Sequence, residues 1–303
     1  MKVLITGATG TIGGAVARTL LGRGDDVVGL SRDPGRAAAA EPRITWHAWN
    51  AAQERPPAEA FDGVDGVVNL VGEPINQRWS DEAKRSIRES RITTTKNLVA
   101  GMLAAERTPR VLVSGSAVGY YGDRGTDFVD EGTAPGATFD AQVCVDWEAA
   151  AKEAEAGGVR VALIRTGLLL TREAGLLAEL LLPFKLGVGG PVAGGRNYMP
   201  WISLADEVGI ILWALDTEGA SGPFNATAPN PVTNREFSKA LGRALHRPAV
   251  LPVPKLAVKV RLGSEFGEIA ATAGQRAIPK RATDGGYEFF FTDIDAAMED
   301  AVG

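Results

Sequence analysis

The 303-residue chain has one cysteine and two histidines. A single thiol excludes an internal disulfide. His47, in a strand between tryptophans, and His246, at a helix end, make no zinc set with that thiol. An excess of positive charge is also missing. Lys and Arg number 32 against 37 Asp and Glu, for a net charge of -5. No nucleic-acid footprint is present. No apolar run is long enough to cross a membrane, since the longest, residues 176–190, is interrupted by Glu179, Pro183 and Lys185. There is no internal repeat, and no low-complexity segment beyond Ala37–Ala40. The first residues read as a core strand, leaving no room for a secretory leader, and a cytoplasmic location is expected.

The chain has an ordinary globular composition, 45% hydrophobic and 23% charged. Its most informative stretch comes first. Val3, Leu4 and Ile5 read as a short buried strand. Gly7, Gly10 and Gly13 follow at three-residue spacing, and an apolar helical pattern starts at Ala15. Strand, glycine turn and helix together are what a dinucleotide-binding loop requires. Gly7 turns the chain off the strand, Gly10 lets a pyrophosphate approach the backbone, and Gly13 lets the helix close on the strand. The free N–H groups at the helix start, around Thr11 and Ile12, then face the phosphates. Thr9 and Thr11 add hydroxyl donors.

Strand and helix patterns alternate through the first half, which predicts a parallel α/β sheet. Strands are expected at residues 2–6, 26–31, 44–49, 66–71, 110–114, 159–165 and 222–227. No convincing helix precedes the third. Helices are expected from Ser80, as N-cap, to Ala105, and from Phe139 to Ala156. Beyond residue 170 the pattern loosens. Residues 187–200 read as a loop, 202–215 as a helix, and 233–245 as a helix opened by a Thr233/Glu236 capping box. Two more helices are expected near 255–262 and 293–300. The expected organisation is a dinucleotide-binding domain over 1–170, to which 202–228 returns, and a C-terminal substrate-side region over 171–303.

The second strand ends at Ser31-Arg32. A carboxylate there would hold an adenosine ribose and repel a 2′-phosphate, whereas a guanidinium pairs with the phosphate. Arg32, helped by Arg36, therefore predicts NADP(H) over NAD(H), with Asp33 as the counter-indication.

Several stretches carry a family resemblance. They are Gly7–Gly13, residues 69–75 (NLVGEPI), Arg78-Trp79, residues 90–95 (SRITTT), 114–122 (SGSAVGYYG), Trp147-Glu148, 183–190, 201–206 and 225–234. Spanning nearly the whole chain in order, they resemble the extended or atypical short-chain dehydrogenase/reductases, specifically the bacterial epimerase-like proteins loosely described as cell-division-inhibitor-like. The resemblance implies a doubly wound Rossmann sheet of about seven strands, a smaller C-terminal region closing over a substrate cleft, and Val71 and Gly72 lying along the cofactor.

The superfamily's Tyr-x-x-x-Lys pair is absent, since none of the four tyrosines has a lysine four residues on. In the resemblance, Val143 or Cys144 stands for the tyrosine, Trp147 or Glu148 for the lysine, and Arg91 for the superfamily's asparagine. Ser116, with Ser114 as alternate, follows the fifth strand where the family's hydroxyl lies. Tyr120 or Tyr121 is the phenol near it in sequence. Ser116 and Tyr120 are thus the candidate catalytic residues, against the alternative that both serines and both tyrosines are structural. Glu148 reads as a solvated or ion-paired glutamate rather than a base, and Cys144 as core. Arg78, Lys84, Arg88 and Arg91 form a basic cluster suited to cofactor phosphates or an anionic small-molecule substrate, with Arg196, Tyr198 and Trp201 as candidate rim. The expected function is an NADP(H)-binding epimerase-like oxidoreductase. A catalytically weak NADP(H)-binding sensor or regulatory module and a literal nucleotide-sugar epimerase are the alternatives.

Overall fold

The computed structural model describes residues 1–303. Seven strands form one sheet: β1 (Lys2–Thr6), β2 (Asp26–Ser31), β3 (Thr45–Ala48), β4 (Gly66–Asn69), β5 (Val111–Ala117), β6 (Arg160–Thr166) and β7 (Gly222–Ala226). Their spatial order is β7-β6-β5-β4-β1-β2-β3, and every pairing is parallel. The order reverses between β1 and β4, where open α/β sheets place ligands. The doubly wound Rossmann expectation is met.

The helices are α1 (Thr11–Gly22), α2 (Pro34–Ala40), α3 (Asp81–Ala104), α4 (Phe139–Lys152), α5 (Gly175–Lys185), α6 (Leu204–Asp216), α7 (Asn234–Ala244), α8 (Lys255–Leu262), α9 (Ser264–Thr272), α10 (Lys280–Asp284) and α11 (Ile294–Val302). Alternation along each strand sorts them into layers. Val3, Ile5, Val113 and Ile164 meet α1 and α6, whereas Leu4, Val67, Leu112 and Leu163 meet α3 and α4. A third apolar cluster joins Phe184 of α5, Phe237 of α7 and Met298 of α11 beside the sheet. No helix is long and apolar enough to cross a membrane.

Three expectations need correction. A helix does precede β3: Asp33 accepts the Arg36 N–H at 3.0 Å to cap α2, Pro34 takes the first helical position, and Ala37 is buried. The leucine-rich run read only as an apolar stretch is helix α5, with Pro183 near its end. Helix α4 ends at Lys152 and tightens into a 3₁₀ turn at Glu153–Gly157.

Burial in α6 creates a pH-sensitive group. Glu207 is fully buried; Oε1 accepts the Thr166 hydroxyl at 2.7 Å, and Oε2 has no partner. Desolvation raises its pKa to about 8. A raised folded-state pKa gives stability that is complete below the unfolded value and lost as pH climbs through the folded one. Wild-type stability is therefore expected to fall by up to about 1.4 kcal/mol per pH unit between the two values. Urea titrations across that window should show the slope in wild type and a flatter profile in Glu207→Gln. Equal slopes would mean the carboxyl is ionised in the fold.

Candidate functional site

The glycine loop leaves the C-terminal end of β1. Gly7 has φ +72°, in the left-handed region, and an added Cβ would stand 3.0 Å from the Leu70 carbonyl oxygen. A Cβ on Gly13 would sit against the Gly7 carbonyl, so the close approach of α1 to the loop requires glycine there. Gly10 is the α1 N-cap and brings no capping side chain, and the first helical hydrogen bond runs from the Gly14 N–H to the Gly10 carbonyl at 2.8 Å. The N–H groups of Thr11, Ile12 and Gly13 thus lack helical acceptors, as a bound phosphate would need. Thr9 is exposed and Thr11 half-buried beside them. A cleft of about 390 Å³ opens here, lined by Thr9, Gly10, Thr11 and Arg18, with Ala37, Glu41 and Trp46 across from them.

Ser31, Arg32 and Asp33 follow β2. The Ser31 hydroxyl accepts the Asp33 N–H at 3.1 Å, and the Asp33 carboxylate caps α2. That cap accounts for the acidic residue that had argued against a 2′-phosphate. Arg32 is exposed and has no acidic partner. Sequence reasoning missed Arg18. Its Nη1 stands 3.4 Å from where a Gly14 Cβ would be, so the side chain folds back over α1 toward the loop. The four-residue spacing from Gly14 was the available signal.

At the end of β4 and β5, polar side chains cross-link the sheet. Thr6 donates to Asn69 Oδ1 at 2.8 Å; Asn69 Nδ2 donates to Thr95 at 2.9 Å and to Ser114 at 3.2 Å; Trp147 Nε1 donates to Thr95 at 3.0 Å. Ser114 is fully buried within this set. Val71 is half-buried and Gly72 exposed just beyond it.

Ser116 lies in a second buried network. Its hydroxyl donates to Glu148 Oε1 at 2.7 Å, and Arg165 binds both oxygens of that carboxylate, at 2.8 and 2.9 Å. Arg165 Nη1 also donates to the Tyr121 hydroxyl at 3.0 Å, and that hydroxyl donates to Asn225 Oδ1 at 2.6 Å. Burial pushes the Tyr121 phenol up to about 12. Tyr120 differs. Its ring lies 3.5 Å from the Arg165 guanidinium carbon, it is half-buried, and its hydroxyl makes no protein hydrogen bond. Of the two adjacent phenols, only Tyr120 keeps its hydroxyl for a ligand. Cys144 is buried, and desolvation lifts its thiol to about 12, which makes it inert at neutral pH.

The basic cluster separates by partner. Arg78 donates to the carbonyls of Val260 and Arg261, Lys84 pairs with Glu265 at 2.6 Å, and Arg88 pairs with Asp146 at 2.6 Å. Trp79, just before α3, stacks on Phe266 of α9 at 4.9 Å, so the start of α3 is tied to the α8–α9 hairpin. Arg91 has no acidic partner. At the presumed rim, Trp201 is fully buried, with Nε1 donating to the Asn230 carbonyl at 3.1 Å, and so belongs to the core. Tyr198 lies 4.6 Å beneath the guanidinium of Arg276, which also covers Phe128 at 3.7 Å. Arg276 is a further residue the sequence did not single out, and its buried Nε has no partner.

Comparison with known proteins gives a family and a fold. Residues 3–226 match the model of the NAD dependent epimerase/dehydratase family, and residues 253–301 match a domain of unknown function, DUF1731. The chain is 41% identical over 300 residues to an epimerase family protein of Mycobacterium leprae (strain TN), covering 98% of this chain and 94% of the relative. It is similar to the crystal structure of the human epimerase family protein SDR39U1 (isoform 2) with NADPH, at 34% identity and TM-score 0.89, covering 99% of each chain. The UDP-glucuronic acid 4-epimerase of Bacillus cereus, solved with UDP-glucuronic acid and NAD, shares the fold at 14% identity and TM-score 0.79, over 99% of this chain and 98% of the other.

Proposed function

Since the chain belongs to the NAD dependent epimerase/dehydratase family, we propose that it is an NADP(H)-binding, epimerase-like oxidoreductase acting on a small molecule. The observation that carries this reading is the glycine loop whose first helical N–H groups lack helical acceptors, with Arg18 lining the cleft beside it and Arg32 exposed after β2 with no acidic partner. Gly7, Gly10 and Gly13 with the N–H groups of Thr11 and Ile12 would hold the diphosphate. Thr9 would add a hydroxyl, Ser31 and Arg32 would hold the 2′-phosphate, and Val71 and Gly72 would lie beside the nicotinamide half. When bound, NADP(H) supplies or accepts a hydride.

The chain's own residues then orient the substrate and handle a proton. Tyr120 presents a hydroxyl with no protein partner. Ser116 has committed its proton to Glu148 and keeps its lone pairs, so it would accept a hydrogen bond from a substrate hydroxyl. With no Tyr-x-x-x-Lys lysine beside the phenol, slow turnover is expected. Hydrogen bonding and proximity carry the rate. Arg276, with an unspent guanidinium, suits an anionic group on the substrate.

Arg32→Asp is expected to weaken NADPH more than NADH, by about 1–3 kcal/mol for a lost charge-assisted contact. Equal losses for the two cofactors would remove Arg32 from the 2′-phosphate. Reduction of ketones, quinones, enones and sugar nucleotides, followed by loss of dihydronicotinamide absorbance, tests the chemistry. A panel member turned over by wild type but not by Tyr120→Phe supports the assignment. Tight NADPH binding with no panel member reduced would favour a regulatory binding module instead.

A further inference from the structure

Of the five cations from Arg78 to Arg91, Lys84 and Arg88 pair with acids, and of the three without an acidic partner Arg91 is the one packed against Gly72 at the end of β4. Its Nη1 donates to two backbone carbonyls, those of Glu73 at 2.9 Å and Ile87 at 3.3 Å, while Nε and Nη2 make no hydrogen bond. The guanidinium stacks over Trp147, 5.3 Å from the ring centroid, and Trp147 is itself fixed by Thr95. It also stands 3.1–3.4 Å from where a Gly72 Cβ would be, so it fills the space that glycine leaves open at the end of β4. Desolvation lowers its pKa, with no carboxylate hydrogen-bonded to offset the cost. A guanidinium held by an aromatic ring and two carbonyls, with Nε and Nη2 unpaired by protein, is positioned to take a further acceptor.

The sheet order indicates what does so. A dinucleotide crosses at the β1/β4 reversal. Arg18 and Arg32 lie on the β1–β2 side, which receives the adenosine half. Gly72 and Arg91 lie on the other side. We infer that Arg91 hydrogen-bonds the nicotinamide-ribose half of NADP(H) through Nε and Nη2, placing beside the nicotinamide the positive charge that the absent Tyr-x-x-x-Lys lysine supplies in related reductases. The inference rests on the proposed cofactor reading, and its test separates the two.

Calorimetric titration of wild type, Arg91→Gln and Arg91→Lys is made with two probes, NADPH and 2′,5′-ADP, the second lacking the nicotinamide half. Arg91→Gln is expected to lose at least about tenfold in NADPH affinity, to keep its 2′,5′-ADP affinity and its thermal midpoint, and to be partly rescued by Arg91→Lys. Unchanged NADPH binding in Arg91→Gln would overturn the inference. So would an equal loss for both probes, which would mean that Arg91 only holds the loop in shape. If wild type bound neither probe, the cofactor reading itself would fall, and the inference with it.

Discussion

Gly10→Val is expected to abolish NADP(H) binding while leaving the fold intact. A Cβ at this position would meet only the Gly7 carbonyl oxygen, at 3.2 Å, which a shift of a few tenths of an ångström relieves. The branched methyls would project into the space in front of the Thr11, Ile12 and Gly13 N–H groups, which the diphosphate must enter. The expected loss exceeds about a hundredfold, roughly 2.7 kcal/mol. Calorimetry with NADPH reads it, and a thermal scan alongside should show a parental midpoint. Gly13 would be a poor choice for the same experiment, because its side chain would push α1 off the loop and confuse misfolding with lost binding. A Gly10→Val protein that binds NADPH as tightly as its parent would place the phosphates elsewhere.

Glu148→Ala should give the largest loss of stability, roughly 3–5 kcal/mol. The side chains of Arg165 and Glu148 are 3% and 5% exposed, so the alanine variant strands a guanidinium in the interior. Ser116 loses its acceptor at the same time. The Glu148→Leu/Arg165→Met double variant should recover most of that loss, because removing both charges leaves none unpaired. Denaturant unfolding of the single and double variants measures the difference. A single-variant loss near that of an exposed ion pair would mean that water reaches Arg165.

The glycine turn and the first two strands could be read from sequence because their determinants are local. Gly7, Gly10 and Gly13 fall within seven residues, and Ser31-Arg32 closes the adjacent strand. The buried network around Ser116 resists such reading because its contacts link distant positions. Ser116 meets Glu148, Glu148 meets Arg165, and Tyr121 meets Asn225 across three strands and a helix. No spacing rule reaches that far, so the choice between Tyr120 and Tyr121 needed coordinates. The basic cluster was visible as composition, but only the positions of Glu265, Asp146 and the α8 carbonyls show which cations are spent. Helix α2 was missed because Pro34 and Gly35 look like a turn, while its stability comes from an Asp33 cap and one buried alanine.

The sheet order has a consequence for how the protein is made. Strand β1 is central, yet its neighbour β4 follows only after β2 and β3, and edge strand β7 is translated last. Until residue 225 leaves the ribosome, the Tyr121 phenol lacks its acceptor; until residue 281 follows, the Glu131 carboxylate lacks its second N–H. The nascent chain therefore carries the Arg165–Glu148 pair with one flank uncovered and the β6 edge unpaired. Such a half-built parallel sheet is the species most exposed to aggregation and to chaperone capture. The glycine loop is assembled early in synthesis, and the buried network around Arg165 is closed off only near its end.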